Sequence, residues 1–170
     1  MTSDKVQILD QVSIMARLKR MAYEIYESNY GAKKLMLIGI DERGTFLAEK
    51  LAEFLKEISS LKISMLDAQL DREAEEGLGI TLSGEVKKLK GRRVIVVDDV
   101  LYSGNTMMQV VSILVQLQPA SIQTAVLIDR GHRAMPISSD FVGLELATTL
   151  QQHVYFDKGK GKKKMQAYIM

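Results

Sequence analysis

The sequence predicts an α/β fold, a parallel sheet with helices on both faces, supplemented by a small hood and an edge hairpin. Three observations predict it. Continuous apolar runs of strand length recur at residues 35–40, 94–97 and 125–128, the signature of strands buried on both faces. Stretches with apolar residues three and four apart stand between those runs. The segments joining most of them are short, as in a sheet built from strand–helix–strand units. A length of 170 residues fits a single domain spanning 1–170.

Taken in order, residues 4–29 carry Ile8, Val12, Met15, Leu18, Ala22 and Ile25 on one helical face, and Gly31 is placed to cap that helix. The run 35–40 is the first strand. Residues 45–58 bring Phe46, Leu47, Leu51, Phe54, Leu55 and Ile58 to one face of a second helix, and 61–66 reads as the next strand. Residues 67–93 hold glycines at 77, 79, 84 and 91 and no long apolar period. They form an extended excursion with a short hairpin around 80–82, and 68–92 is placed to act as a lid. Residues 93–97 give the third strand, 106–117 its helix, closed by Pro119, and 121–128 the fourth strand. Beyond Arg130 the chain turns irregular, with strand-like pieces at 141–146, 153–156 and 165–169. Residues from about 129 to 150 make up the hood.

Composition removes whole classes of chemistry. No cysteine is present, which excludes disulfides, thiolate metal sites and cysteine nucleophiles, and two histidines leave little for zinc. No apolar run approaches the roughly 18 residues needed to cross a bilayer, so the expected location is the cytoplasm with no membrane partner. The formal charge of +2 is unevenly spread: five of the 23 lysine and arginine residues, and none of the 21 acids, fall within 158–170. A lysine run of this kind reads first as a solvated turn.

The informative stretch is Val94-Ile95-Val96-Val97-Asp98-Asp99-Val100-Leu101-Tyr102-Ser103-Gly104-Asn105-Thr106. Two adjacent carboxylates follow a buried strand, where an uncompensated charge is costly, so they are expected to emerge at its mouth as acceptors for a sugar diol. Ser103, Gly104, Asn105 and Thr106 then join a flexible glycine and two hydroxyls at a helix start, where free N–H groups attract a phosphate. Helix capping would account for any one of these residues, but not for the whole constellation. The lysine-bearing phosphate loop of nucleoside triphosphatases and the GxGxxG dinucleotide fingerprint are both missing.

Val97-Asp98-Asp99-Val100-Leu101-Tyr102-Ser103-Gly104-Asn105-Thr106 resembles the phosphoribosyl-pyrophosphate motif of type I phosphoribosyltransferases. Ala125-Val126-Leu127-Ile128-Asp129-Arg130-Gly131-His132-Arg133, with Pro136, Ile137, Asp140, Val142 and Gly143, resembles the hood segment of the bifunctional pyrimidine-operon attenuator and uracil phosphoribosyltransferase group. The resemblance implies an enzyme that binds phosphoribosyl pyrophosphate with Mg²⁺ and transfers phosphoribose to a nucleobase, uracil first, giving UMP and pyrophosphate. It implies that Asp98 and Asp99 hold the ribose hydroxyls, that Ser103, Gly104, Asn105 and Thr106 form the 5′-phosphate loop, and that Tyr102 beside them belongs to the substrate-binding residues. Glu42, Arg43 and Gly44, in the turn 41–44, would hold the pyrophosphate, and Asp129, Arg130 and Arg133 would serve the base from the hood. Mg²⁺ would arrive with the pyrophosphate, with no dedicated protein metal site.

Type I transferases generally bring a basic lid residue to the pyrophosphate, whereas residues 73–86 contain four glutamates and no lysine or arginine. Arg72 is the nearby candidate for that catalytic role; a surface ion pair with Asp71 or Glu75 is its plainer reading. His132 reads as a loop residue hydrogen-bonding locally, and His153 as strand surface. The alternative functions are a nucleotide-responsive RNA-binding regulator of pyrimidine genes with little turnover, and a purine phosphoribosyltransferase. RNA is the further partner raised by the resemblance, although of the matching positions Arg133, Ser138 and Leu144 only the first is basic. The long first helix and the methionines point to a homo-oligomer.

Overall fold

The computed structural model describes residues 5–74 and 79–170. Its elements are β1 (Val6–Leu9), α1 (Gln11–Ser28), β2 (Lys34–Ile40), α2 (Asp41–Ile58), β3 (Lys62–Asp71), β4 (Gly79–Ser83), a 3₁₀ turn at Val86–Leu89, β5 (Arg93–Leu101), α3 (Asn105–Gln116), β6 (Ser121–Asp129), β7 (Phe141–Glu145), β8 (Val154–Asp157) and β9 (Gln166–Ile169).

The expected sheet has six strands in the order β4-β3-β2-β5-β6-β7, parallel except for β4. Alternate side chains of the buried strands feed two cores. Leu35, Leu37, Ile95, Val97 and Leu127 pack with α1 and α2 on one face. Met36, Ile38, Val94, Val96 and Val126 pack with Met107, Val110 and Leu114 of α3 on the other. Each such side chain contributes about 1.5–3 kcal/mol of burial, which is why these runs carry no polar alternation. Because β2 lies between β3 and β5, the chain reverses its strand order there, and the helices leaving β2 and β5 diverge to opposite faces. This opens a crevice at the strands' carboxyl ends.

Several local expectations change. Residues 6–9 are a strand and not the start of the first helix, because β1 finds an antiparallel partner in β9, with Val6 opposite Ile169. The Asp10 carboxylate accepts a 2.8 Å bond from the Ser13 N–H and begins α1 only afterwards. The turn 41–44 is the first turn of α2. The strand expected at 61–66 runs on to Asp71, because β4 pairs with its second half and turns much of the excursion into a hairpin. Within the expected lid, residues 75–78, and with them Gly77 and the suggested Glu75 partner of Arg72, lie outside the described residues.

At the other end of the chain, β7 sits in the middle of the expected hood but extends the main sheet beside β6. The edge hairpin β8–β9 is joined by β1 into a separate three-stranded antiparallel sheet. That small sheet turns Val154, Phe156 and Ala167 into the same core as α1 and α2, with the Phe46 and Phe156 rings 6.3 Å apart. Among the described residues no helix is long and apolar enough to cross a membrane.

Candidate active site

A cavity of about 660 Å³ occupies the crevice between the first turns of α2 and α3. Its floor is the end of β5. That strand continues through the two acids to Leu101, so Asp98 and Asp99 lie within it and do not follow it, and both are half-buried. Asp98 Oδ1 accepts the Asp99 N–H at 2.8 Å, and Asp99 Oδ1 accepts the Val100 N–H at 2.9 Å. Burial, and secondarily the Asp99 charge beside it, push the Asp98 carboxyl well above the usual carboxylate range. Asp99 has a cation to face: Arg43 Nη1 stands 3.5 Å from its Oδ2. The pair thus offers one carboxyl biased toward its neutral, donating form beside a second acid that faces a guanidinium, a combination suited to two neighbouring hydroxyls.

The segment 102–106 follows. Gly104 has φ +82, and a Cβ there would lie 2.6 Å from Ile137 Cγ2, so both the turn and the packing require glycine. The hood loop docks on this turn, with the Ala134 and Met135 N–H groups donating to Ser103 O at 2.9 and 3.0 Å. α3 begins at Asn105, and its first N–H groups have no acceptor within the helix, which leaves an anion-binding cradle facing the cavity. Tyr102 is anchored elsewhere: its hydroxyl accepts the Val154 N–H at 2.9 Å and donates to Val154 O, and burial raises its ionisation range.

Opposite the cradle, α2 brings Asp41, Glu42 and Arg43 to the cavity. Asp41 sits at φ +50, with Oδ1 accepting the Leu70 N–H at 2.9 Å and Oδ2 lying 3.5 Å from Arg72 Nη2. Arg72 therefore lines the mouth with Asp41, and not Asp71, as its ion-pair partner. Glu42 pairs with Lys158 from beyond β8; this lysine's hydrogen bond and charge hold the Glu42 carboxyl below its usual range.

Of the residues expected from sequence, Glu42, Arg43, Arg72, Asp98, Asp99, Tyr102, Ser103, Gly104, Asn105 and Thr106 all line this cavity. Gly44, Asp129, Arg130 and Arg133 do not. Gly44 is a packing residue: a Cβ there would stand 2.5 Å from Val97 O, so glycine lets α2 press against β5. Asp129 is buried and pairs with Arg133 at 2.5 Å. Arg130 is buried, bonds Thr148 Oγ1 and Thr149 O at 3.1 and 3.0 Å, and lies 4.9 Å from the centre of the Tyr102 ring. These three hood residues are occupied with one another and with the loop after β7. His132 hydrogen-bonds the Thr148 carbonyl within that loop, and His153 is exposed ahead of β8.

Asp41 joins the wall from the expected turn 41–44, whereas Leu70, Val154 and Tyr155 line it without having been expected there. The last two arrive through the small sheet, for which the local sequence carries no pairing signal. Among the described residues no three or more His, Asp or Glu side chains gather as a metal cage. The donor set of Asp98 and Asp99 suits a Mg²⁺ that keeps waters and takes other ligands from phosphate oxygens.

Residues 5–159 match the phosphoribosyl transferase domain. The chain is 36% identical over 167 residues to the bifunctional protein PyrR of Ligilactobacillus salivarius, covering 92% of this chain and 94% of that protein. It is 37% identical over 151 residues to the pyrimidine operon regulatory protein of Lactococcus lactis, covering 87% of each. A hypoxanthine-guanine phosphoribosyltransferase from Bacillus anthracis superposes with a TM-score of 0.75 at 15% identity, over 87% of this chain and 85% of that one, and so shares the fold. With a domain match over most of its length and a relative 36% identical across 92% of it, the chain belongs to the phosphoribosyl transferase family of enzymes.

Proposed function

We propose that the cavity binds phosphoribosyl pyrophosphate with Mg²⁺ and that the protein transfers its phosphoribosyl group to uracil, giving UMP and pyrophosphate. The observation that carries this reading is the adjacency, in one cavity, of the Asp98–Asp99 pair and the 103–106 cradle, which bring together the acceptors a ribose diol needs and the N–H groups a 5′-phosphate needs. Asp98 and Asp99 hold the 2′- and 3′-hydroxyls, and the N–H groups at the start of α3, with Ser103 and Thr106, take the 5′-phosphate. Arg43 and the first turn of α2 face the pyrophosphate, with Arg72 across the mouth.

A ring nitrogen of the base then forms its bond to the anomeric carbon as the bond from that carbon to the pyrophosphate oxygen breaks. The base loses one proton from nitrogen, and the electron pair leaves with the pyrophosphate. No side chain needs to become a covalent nucleophile; positioning and charge stabilisation are the protein's contributions. Mg²⁺ would arrive with the pyrophosphate, keeping waters and phosphate oxygens as ligands, and would neutralise part of the leaving group's charge.

Uracil is favoured over a purine by the name of the Lactococcus lactis relative, which ties that protein to pyrimidine genes. The same name, which calls that protein regulatory, favours a second reading, a nucleotide-responsive RNA-binding regulator of pyrimidine genes with little catalytic turnover. Pyrophosphate release from Mg–phosphoribosyl pyrophosphate, with uracil, hypoxanthine, guanine, xanthine and orotate in parallel, tests the proposal. Release with uracil alone supports it, and release with another base overturns the substrate. Binding without release, together with RNA affinity that falls steeply with salt, favours the regulator.

A further inference from the structure

The cavity wall is short of positive charge at the α2 end. Asp41, Glu42 and Asp99 face Arg43 and Arg72, and both arginines already pair with acids, Arg43 with Asp99 and Arg72 with Asp41. Residues 73–86 carry no lysine or arginine that could swing in from the hairpin. Beyond the Mg²⁺ it carries, a pyrophosphate bound here would meet three carboxylates and two arginines already paired with acids.

The structure offers a further cation from another element. β8 forms part of the cavity wall through Val154 and Tyr155, and the two hydrogen bonds between the Tyr102 hydroxyl and the Val154 backbone fix it there. Directly after this strand, the Lys158 ammonium pairs with the Glu42 carboxylate. Glu42 is a shared wall, lining the main cavity on one side and a shallower depression of about 400 Å³, which also includes Lys158, on the other. The turn that presents the lysine is fixed by Asp157, which accepts the Gly159 N–H at 2.9 Å and pairs with Lys163 at 2.5 Å.

We propose that Lys158 is a leaving-group cation of this site: it rests on Glu42 in the free protein and exchanges that carboxylate for the pyrophosphate when phosphoribosyl pyrophosphate binds. The proposal rests on the reading of the cavity given above. Glu42 is 78% exposed at its side chain, and an ion pair so exposed is weak, so the exchange costs little. A pyrophosphate carries several negative charges and out-competes one carboxylate for the same ammonium. Glu42 acts as a placeholder that keeps the lysine extended toward the mouth.

A purely structural tie between α2 and the small sheet would behave differently, and titration calorimetry separates the two. The probes are Mg–pyrophosphate and ribose 5-phosphate, the second lacking the group that Lys158 contacts. Lys158→Met is expected to weaken Mg–pyrophosphate binding about tenfold while ribose 5-phosphate affinity stays within about twofold, and Lys158→Arg to restore most of the loss. Glu42→Gln, which frees the lysine, is expected to tighten Mg–pyrophosphate binding, and to lose that effect when combined with Lys158→Met. A structural tie would make Glu42→Gln and Lys158→Met fail alike and for both probes, which overturns the proposal. Equal pyrophosphate affinity in Lys158→Met and wild type, with ribose 5-phosphate bound normally, overturns the role of Lys158 and leaves the cavity's reading intact. A wild-type protein that binds neither probe overturns both.

Discussion

The Tyr102 hydroxyl bonds both backbone groups of Val154, accepting its N–H at 2.9 Å and donating to its carbonyl. One side chain thereby joins the turn that follows β5 to the edge of the small sheet. Tyr102→Phe removes both bonds and leaves a half-buried backbone N–H without its acceptor, so it is expected to cost about 1–3 kcal/mol in urea unfolding. The same change should raise KM for phosphoribosyl pyrophosphate more than it lowers kcat, because it loosens a wall and removes no reacting group.

Asp98 offers a test in which stability and activity move in opposite directions. Its folded ionisation range lies well above that of the unfolded chain, mainly through burial and then through Asp99. The folded state therefore holds this proton more tightly, and its contribution to stability is lost as pH rises from the ordinary carboxylate value of about 3.9 through the raised folded value. Asp98→Asn cannot ionise. It is expected to have a higher urea midpoint than wild type at neutral pH, an advantage that vanishes in acid below about pH 3.9. If this carboxyl holds a ribose hydroxyl as proposed, turnover should fall on the order of 10- to 100-fold.

Gly104→Ala puts a Cβ where φ is +82 and Ile137 Cγ2 would stand 2.6 Å away. The left-handed backbone alone costs about 1–2 kcal/mol. Relief of the clash pushes the hood loop off Ser103, so the expected phenotype combines a lower unfolding midpoint with a raised KM for phosphoribosyl pyrophosphate. Ala at Gly131, where φ is +78 and nothing lies within 4 Å of the added atom, is the control with backbone strain only.

Arg72 separates surface electrostatics from a substrate role. Its side chain is 72% exposed and its ion pair with Asp41 spans 3.5 Å, so Arg72→Ala should shift stability by less than about 1 kcal/mol. If the guanidinium reaches the pyrophosphate during turnover, kcat/KM falls about tenfold or more in the same variant. An unchanged kcat/KM would leave it as the surface partner of Asp41 alone.

The main sheet was legible because strands such as β2, buried at every position from Leu35 to Ile40, must be continuously apolar. The acid pair and the cradle were legible because their chemistry lies within nine consecutive residues, 98–106. What escaped depends on distant partners. Ile8 falls on the helical face of α1 by spacing, yet residues 6–9 belong to a strand whose partner is at the far end of the chain, with Val6 opposite Ile169. Glu42 and Lys158 stand 116 positions apart, and no local pattern announces their pairing. The hood residues Asp129, Arg130 and Arg133 were found by their motif, but Arg133 turns back onto Asp129 and Arg130 onto Tyr102, which took them out of the cavity.

Asp41 stands where the first turn of α2 meets the last residues of β3, in a left-handed conformation that a non-glycine residue holds only at some cost. One of its carboxylate oxygens serves the Leu70 backbone and the other faces Arg72. The two sides of the cavity mouth are thus geared to a single pin. A single side chain thus carries three loads at once: the start of α2, the backbone near the end of β3, and the guanidinium on the rim between them.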